Sequence, residues 1–408
     1  MNKLKLYRIE SNIYVEERKI ENNQFLDDIN ILLLNEGIEL SEDIESSHLN
    51  IVLVESGGSE QRFLEIKDQL TSPIILINNG RHNSLAASME IKTYIANHMK
   101  YEAILFSGSP EKIAEILKTM NSVFLVKEEL KNQRLGVIGK PSSWLISSDV
   151  NYKEVYDKFG ITLIDIDYDE FKLEIDKKSF PQIEEYFELS EKCESLEELD
   201  KAFYVYGAIS RLINKYNLTG FTLRCFDLLD LYNTTSCIAL SIFNKNGIVA
   251  TCEGDIPTLI TQIIVNKLTS FSSFQANPSY FYYDKGQILF AHCQVPLNMC
   301  SEYELDTHFE SDLSLAVKGK FVNGKCSVIK LCPDLKNYVA FQGEIIESPD
   351  IKGYCRSQMK VAFDQRSFIS FFSENFANHV VICYGDITND FASLIEFINS
   401  EYERTLKK

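Results

Sequence analysis

The sequence predicts an α/β protein: two doubly wound α/β domains followed by a C-terminal antiparallel, β-barrel-like domain. Three observations carry this. Short apolar runs alternate with helix-like segments from residue 49 onward. The alternation restarts after a charged connector at residues 127–134. Beyond residue 270 the texture changes to short β-rich runs separated by turns containing Gly or Asn. A short run that is apolar throughout reads as a strand buried on both faces, as a parallel sheet covered by helices requires. The expected boundaries are 1–130, 131–270 (which carries the Glu253-Gly254-Asp255 motif) and 271–408, the last ending in a helix.

In the first unit, residues 49–54 (LNIVLV) form a strand closed by Ser56-Gly57-Gly58, and 59–69 a helix. Residues 73–77 (PIILI) form the next strand, closed by Asn78-Asn79-Gly80. Residues 83–98 read as a helix whose apolar face is Leu85, Met89, Ile91 and Tyr94. A strand at 103–106 and a helix to 121 complete the unit. In the second unit, strands are expected at 135–138, 161–166, 221–226 and from Ile248, with helices at 150–159, 180–199 and 202–216. Residues 237–243 are expected to form a turn of helix. The third carries β runs at 287–291, 313–317, 326–331, 338–344, 359–363 and 379–384, then a helix at 391–402.

Composition narrows the function classes. Apolar content of 45% and charged content of 25% are those of a globular protein, and 26 Phe and 20 Tyr supply ample core. A net charge of −18 argues against a nucleic-acid binder and against docking on anionic membrane. The N-terminal residues lack the continuous apolar stretch of a signal peptide, and no apolar run reaches membrane-spanning length. A cytoplasmic location is therefore expected, with the ten cysteines as thiols rather than disulfides. None forms a CxxC pair, and Cys237, Cys252, Cys326 and Cys383 read as small core residues.

The chemistry-bearing residues centre on residues 241–262 (SIFNKNGIVATCEGDIPTLITQ). Glu253 and Asp255 stand at the end of a strand and the start of a helix, where α/β proteins build sites. Asp255 is placed to cap a helix that has Pro257 in its first turn. Glu253, directly after an apolar strand, is either buried and paired or at a cleft, and the cleft is the preferred reading. His292 and His379 each border an apolar β-rich run and are either hydrogen-bonded core residues or ligands. With Glu253 they make a donor set suited to Mn²⁺, Zn²⁺ or Fe²⁺. His48, His82, His98 and His308 read as loop or helix-surface residues. Arg224 and Arg356, in apolar surroundings, need an anionic partner, whether a structural carboxylate or a bound anion. Trp144 either stacks on a sugar or packs a hinge. No GxSxG, GxxxxGK[ST] or GxGxxG motif is present.

Several segments together resemble the L-fucose isomerase family, the metal-dependent aldose–ketose isomerases that include L-arabinose isomerase. They are ATCEGDIPTLITQ at 250–262, FAHCQVP at 290–296, CRSQ at 355–358, Asn378-His379, LRCFDLL at 223–229, LGVIGKPSSWLISSDV at 135–150 and Asn83-Ser84-Leu85. The resemblance implies two α/β domains, a C-terminal β domain, and homotrimers or homohexamers in which a neighbouring subunit completes the site. It implies a divalent metal, most simply Mn²⁺, and proton transfer through a cis-enediol. Glu253 matches a metal-binding and proton-transferring glutamate, and His379 a metal ligand. His292 lies in the segment that supplies another histidine ligand. Arg224, Arg356, Gln358, Asn378 and Trp144 are the expected sugar contacts. One position departs from the family: Asn277 stands where the L-fucose enzymes carry an aspartate that is both ligand and acid/base. An amide cannot transfer protons at neutral pH. Asp255 or a neighbouring subunit then takes that role, or substrate and mechanism differ. An isomerase of an anionic sugar such as a sulfonated hexose, marked by Arg224, Arg356, Lys140 or Arg81 near Glu253, is one alternative. A catalytically silent sugar-binding relative is another.

Overall fold

The computed structural model describes residues 2–407 except 13–14, 72 and 100–102. The chain divides into two compact units, Met1–Leu125 and Val126–Lys408. It is a mixed α/β protein with two parallel sheets and one larger antiparallel sheet.

The first unit is built on β1 (Asn2–Ile9), β2 (Ile38–Ser41), β3 (Asn50–Val54), β4 (Ile74–Asn78) and β5 (Ala103–Ser107), all parallel, in the order β2-β1-β3-β4-β5. Every residue of β3 and β4 is buried, which is why these strands read as continuous apolar runs. Helices α1 (Glu16–Leu34), α2 (Glu60–Ile66), α3 (Ser84–His98) and α4 (Pro110–Leu130) alternate with them. Sequence reasoning assigned neither β1 nor α1. β1 (NKLKLYRI) interleaves lysines with apolar residues, and α1 distributes its apolar residues without a clean stripe.

The second unit opens with β6 (Arg134–Ile138), β7 (Thr162–Ile166), β8 (Gly220–Leu223) and β9 (Val249–Cys252), a parallel sheet of order β7-β6-β8-β9. The order reverses between β6 and β8, and α/β sites form at the carboxyl ends beside such a reversal. The helices are α5 (Tyr152–Phe159), α6 (Tyr168–Ile175), α7 (Glu184–Ser190), α8 (Leu196–Tyr216), α9 (Asp227–Tyr232), α10 (Cys237–Lys245) and α11 (Ile256–Thr269). The helix turn expected at 237–243 is a full helix, α10, buried over most of its length. The strand expected to reach Phe226 stops at Leu223, leaving Arg224 and Cys225 just past its carboxyl end.

The remaining strands are β10 (Phe274–Tyr282), β11 (Gln287–His292), β12 (Cys300–Asp306), β13 (Ala316–Phe321), β14 (Gly324–Leu331), β15 (Tyr338–Glu347), β16 (Ser357–Ala362) and β17 (Val380–Tyr384). Six of them pair antiparallel as β10-β11-β16-β15-β14-β17, and β17 also pairs with β10, so the ladder returns on itself. β12 and β13 form a separate ribbon. Helices α12 (Gln365–Ser373) and α13 (Thr388–Lys407) follow β16 and β17. One core unites these layers: α11 packs on β8 and β9 and also on β14 and β17. That explains why every residue of α11 from Ile256 to Val265 is buried, Thr258, Thr261 and Gln262 included. No helix among the described residues is long and apolar enough to cross a membrane.

Candidate metal centre

β9 ends at Cys252, and the next two residues turn the chain sharply. Glu253 and Gly254 both adopt left-handed backbone, with φ of 65° and 75°. For a glutamate this costs on the order of 1–3 kcal/mol, so surrounding contacts must enforce it. They do. Ser142 N–H donates to the Glu253 carbonyl at 2.8 Å. The Gln275 amide oxygen accepts Cys252 N–H at 2.7 Å, acting as a one-residue substitute for a further strand along β9. A side chain at Gly254 is impossible, since its Cβ would lie 2.7 Å from Pro141 Cα. Asp255 then caps α11, its Oδ1 accepting Thr258 N–H at 2.9 Å.

The antiparallel sheet delivers three further side chains. Asn277 lies on β10 opposite Ala291, His292 ends β11, and His379 immediately precedes β17, whose Val380 pairs with Ala276. Pairing of β10 with both β11 and β17 brings all three to one rim. Glu253 Oε1 lies 3.4 Å from His379 Nε2 and 3.8 Å from His292 Nε2. One donor atom from each of these three buried residues falls within 4.8 Å of the others. Donors around a tetrahedral ion of Zn²⁺ size are separated by about 3.3 Å, so the spacing suits a small divalent cation. The contacts are too long for good hydrogen bonds: both Nε2 atoms and Asn277 Oδ1 are buried without a hydrogen-bond partner. Buried polar atoms are normally satisfied, and a cation held by Glu253, His292 and His379 would satisfy both Nε2 atoms. The residues fit a metal.

The supporting hydrogen bonds distinguish the two histidines. His379 Nδ1 donates to Asp255 Oδ2 at 2.8 Å, which fixes the tautomer that leaves Nε2 free as a ligand. Asp255 is neutralised in turn by Lys330, whose ammonium lies 3.2 Å from both carboxylate oxygens and also donates to Thr258 Oγ1. His292 Nδ1 instead accepts Cys293 N–H at 3.0 Å, which favours the tautomer with its proton on Nε2. Ligation by His292 would therefore require that proton to leave Nε2. Trp144 Nε1 donates to Glu253 Oε2 at 2.6 Å, so the other oxygen faces the imidazoles.

Electrostatics follow from burial and these partners. Burial disfavours a charged Glu253, but the imidazoles of His292 and His379 hold its carboxyl well below the usual range. Asp255 is likewise held ionised against burial, first by Lys330 and then by His379. Burial pushes His379 down, yet the Asp255 and Glu253 carboxylates more than offset it and raise the imidazole to about 9. His292 is lowered by burial. Burial also lowers Lys330, so this ammonium holds its proton less tightly than an exposed lysine.

The other expected contacts are placed differently. Arg224 pairs with Asp227 at 3.0 Å. Arg356 bonds Thr307 O at 2.7 Å and pairs with Asp306 and Asp312. Gln358 spends its amide on the backbone of Ile351 and Cys355. Asn378 is exposed. Arg81 belongs to the first unit, where it pairs with Glu21 at 3.0 Å. Glu253, Asn277 and His292 line a cleft of about 420 Å³ including its open mouth, and among the described residues its lining includes no Lys or Arg. His308, expected in a loop or on a helix surface, is buried and lines this cleft, and burial lowers it to about 4. Sequence reasoning also passed over Lys330 and Glu310, and read Cys237 and Cys252 as small core residues, whereas they line the cleft. A lone lysine in the run CSVIKL was the one available signal for Lys330.

No family model matches the chain. The chain is 21% identical over 336 residues to proteins named sulfoquinovose isomerase from Priestia aryabhattai and from Priestia megaterium (strain ATCC 12872 / QMB1551), covering 79% of this chain and 75% of each relative. A protein of the same name from Alkalicoccus urumqiensis is 20% identical over 335 residues, covering 78% of this chain and 75% of that one.

Proposed function

We propose that the protein is a metal-dependent aldose–ketose isomerase acting on a sulfonated hexose, with sulfoquinovose as the first candidate substrate. The observation that carries the chemistry is the buried Glu253–His292–His379 group, with the Nε2 atom of each ring lacking a hydrogen-bond partner, at the edge of an open cleft. The relatives' names support the substrate class. L-Fucose itself has no separate support. When bound, a divalent ion such as Mn²⁺ would polarise two neighbouring sugar oxygens and acidify the C2 proton.

Glu253, His379 and Asn277 Oδ1 would hold that ion, with His292 as a fourth ligand or as a hydrogen-bond donor to a sugar oxygen. Glu253 Oε2, oriented by Trp144, is placed to take the C2 proton. Glu310 lines the same cleft, and burial and the Glu253 charge raise its carboxyl, which suits it to hold a proton at the sugar oxygens. Among the described residues no Lys or Arg lines the cleft to meet a sulfonate, so this reading takes that contact from a neighbouring copy of the chain in a homotrimer or homohexamer.

The test is to incubate the protein with sulfoquinovose and Mn²⁺ in deuterium oxide and follow ketose formation and C2 deuteration by NMR. Ketose carrying solvent deuterium is expected, and turnover in Glu253→Gln at the parent rate would sink the assignment. The amide at Asn277 favours a second reading, a silent sugar-binding relative. Protein that binds the sugar yet takes up no divalent metal would support it.

A further inference from the structure

Two cysteines outside the ligand set are held in contact at the wall of the cleft. Cys225, just past β8, and Cys252, the last residue of β9, place their Sγ atoms 2.9 Å apart. They stand at the carboxyl ends of neighbouring strands, Leu223 of β8 lying opposite Cys252 in the register. Both are buried, yet both line the cleft that holds Glu253 and His292. Cys237, Cys293 and Cys355 line it too. A chain whose cysteines served only as core filler would have no reason to gather five thiols around one opening.

We propose that Cys225 and Cys252 form a modification site, at which hydrogen peroxide entering through the cleft closes a disulfide that disables the metal centre. One thiol loses its proton and the resulting thiolate attacks a peroxide oxygen; the O–O bond breaks, and the hydroxide released takes up that proton, giving a sulfenic acid and water. The second thiol attacks that sulfur; the S–S bond forms, the S–O bond breaks, and hydroxyl and proton leave as a second water. Two electrons pass from the sulfurs to the peroxide. A covalent S–S bond is about 2.05 Å, so the two side chains must close up. Cys252 is peptide-bonded to Glu253, whose left-handed turn is pinned by hydrogen bonds to Ser142 and, through Cys252, to Gln275, so a pull on Cys252 is carried to Glu253. Closure therefore moves the carboxylate. A displacement of about 1 Å at reacting groups costs on the order of 10²-fold in rate. This consequence rests on the reading of Glu253 as ligand and base.

The full-length protein, first reduced, is treated with hydrogen peroxide and examined by peptide mass mapping, Mn²⁺-induced thermal shift and isomerase rate. One link joining Cys225 to Cys252 is expected, with a mass loss of two hydrogens. Loss of the Mn²⁺ shift, a fall in rate on the order of 10²-fold and recovery with dithiothreitol should accompany it. Cys225→Ser should keep the unoxidised rate and resist peroxide. A link at Cys293–Cys355, no link, or a linked protein that keeps its Mn²⁺ shift overturns the proposal. The mapping needs no turnover, so it decides the disulfide even if no sugar is isomerised. Absence of an Mn²⁺ shift in the reduced protein would count against the metal reading instead.

Discussion

At Asn277 a buried amide oxygen without a hydrogen-bond partner lines the same cleft as Glu253 and His292. Asn277→Asp should raise Mn²⁺ affinity, because an anionic oxygen replaces a neutral one. It should also destabilise the metal-free protein by placing a second negative charge near Glu253. Isothermal titration and melting curves would show both, and unchanged affinity would remove Asn277 from the ligand set. Glu310→Gln should lower kcat by about 10²- to 10⁴-fold with little change in metal binding. His379 governs the pH response. Its folded value of about 9 lies above the unfolded value of ~6.5. Its protonation therefore contributes stability to the metal-free protein that is complete below about pH 6.5 and is lost as pH rises through about 9. Ligation needs the neutral ring, so Mn²⁺ affinity should climb with pH up to about 9. Calorimetry in buffers of different ionisation enthalpy should detect about one proton released near pH 7; none released argues against His379 as a ligand. Much of this was legible in sequence. Glu253 and Asp255 announced themselves by standing where a strand ends and a helix begins. Lys330 and His308 did not, because their roles arise from burial against residues far away in the chain.

Among elements, α11 is the pivot. It sits between the parallel sheet and β14, capped by an aspartate that also orients His379 and binds Lys330. Lys330 and Asp255 are both fully buried. Removing one partner of such a pair leaves an uncompensated charge, so Lys330→Met should cost roughly 3–5 kcal/mol. Chemical denaturation measures it, and a loss below about 1 kcal/mol would mean that Asp255 is satisfied without the lysine. The parallel strands were readable because burial on both faces makes them apolar throughout. β10 was not: FQANPSYFY contains Asn277 and Pro278, and its register shifts between Pro278 and Tyr280. That irregular strand carries one of the candidate ligands, so the local signal was weakest where the site needed it most.

For the whole molecule, the candidate ligands all fall in Val126–Lys408 and none in Met1–Leu125. A ligand stabilises only the part it binds, by about 2.7 kcal/mol at a hundred times its dissociation constant. Scanning calorimetry with saturating Mn²⁺ should therefore move the transition of the second unit and leave that of the first in place. Equal shifts in both would contradict this assignment. The parallel-then-antiparallel order of the second unit was visible in sequence as a change of texture. The fusion of those layers around α11 was not, since nothing local records which distant strand a helix will cover.

The Gln275 amide that completes β9 carries a lesson for recombination. It belongs to β10, yet it holds the backbone just before Glu253. A chimaera that exchanged residues 271–408 for those of a distant relative would replace Gln275, His292, Lys330 and His379 together. It would leave Glu253 and Asp255 to meet unfamiliar partners. Crossovers between α4 and β6, near residue 132, should give folded, metal-binding hybrids, whereas crossovers near residue 270 should not. The hereditary unit of this site is then the whole of the second unit, and libraries that shuffle it as one block should keep the metal centre.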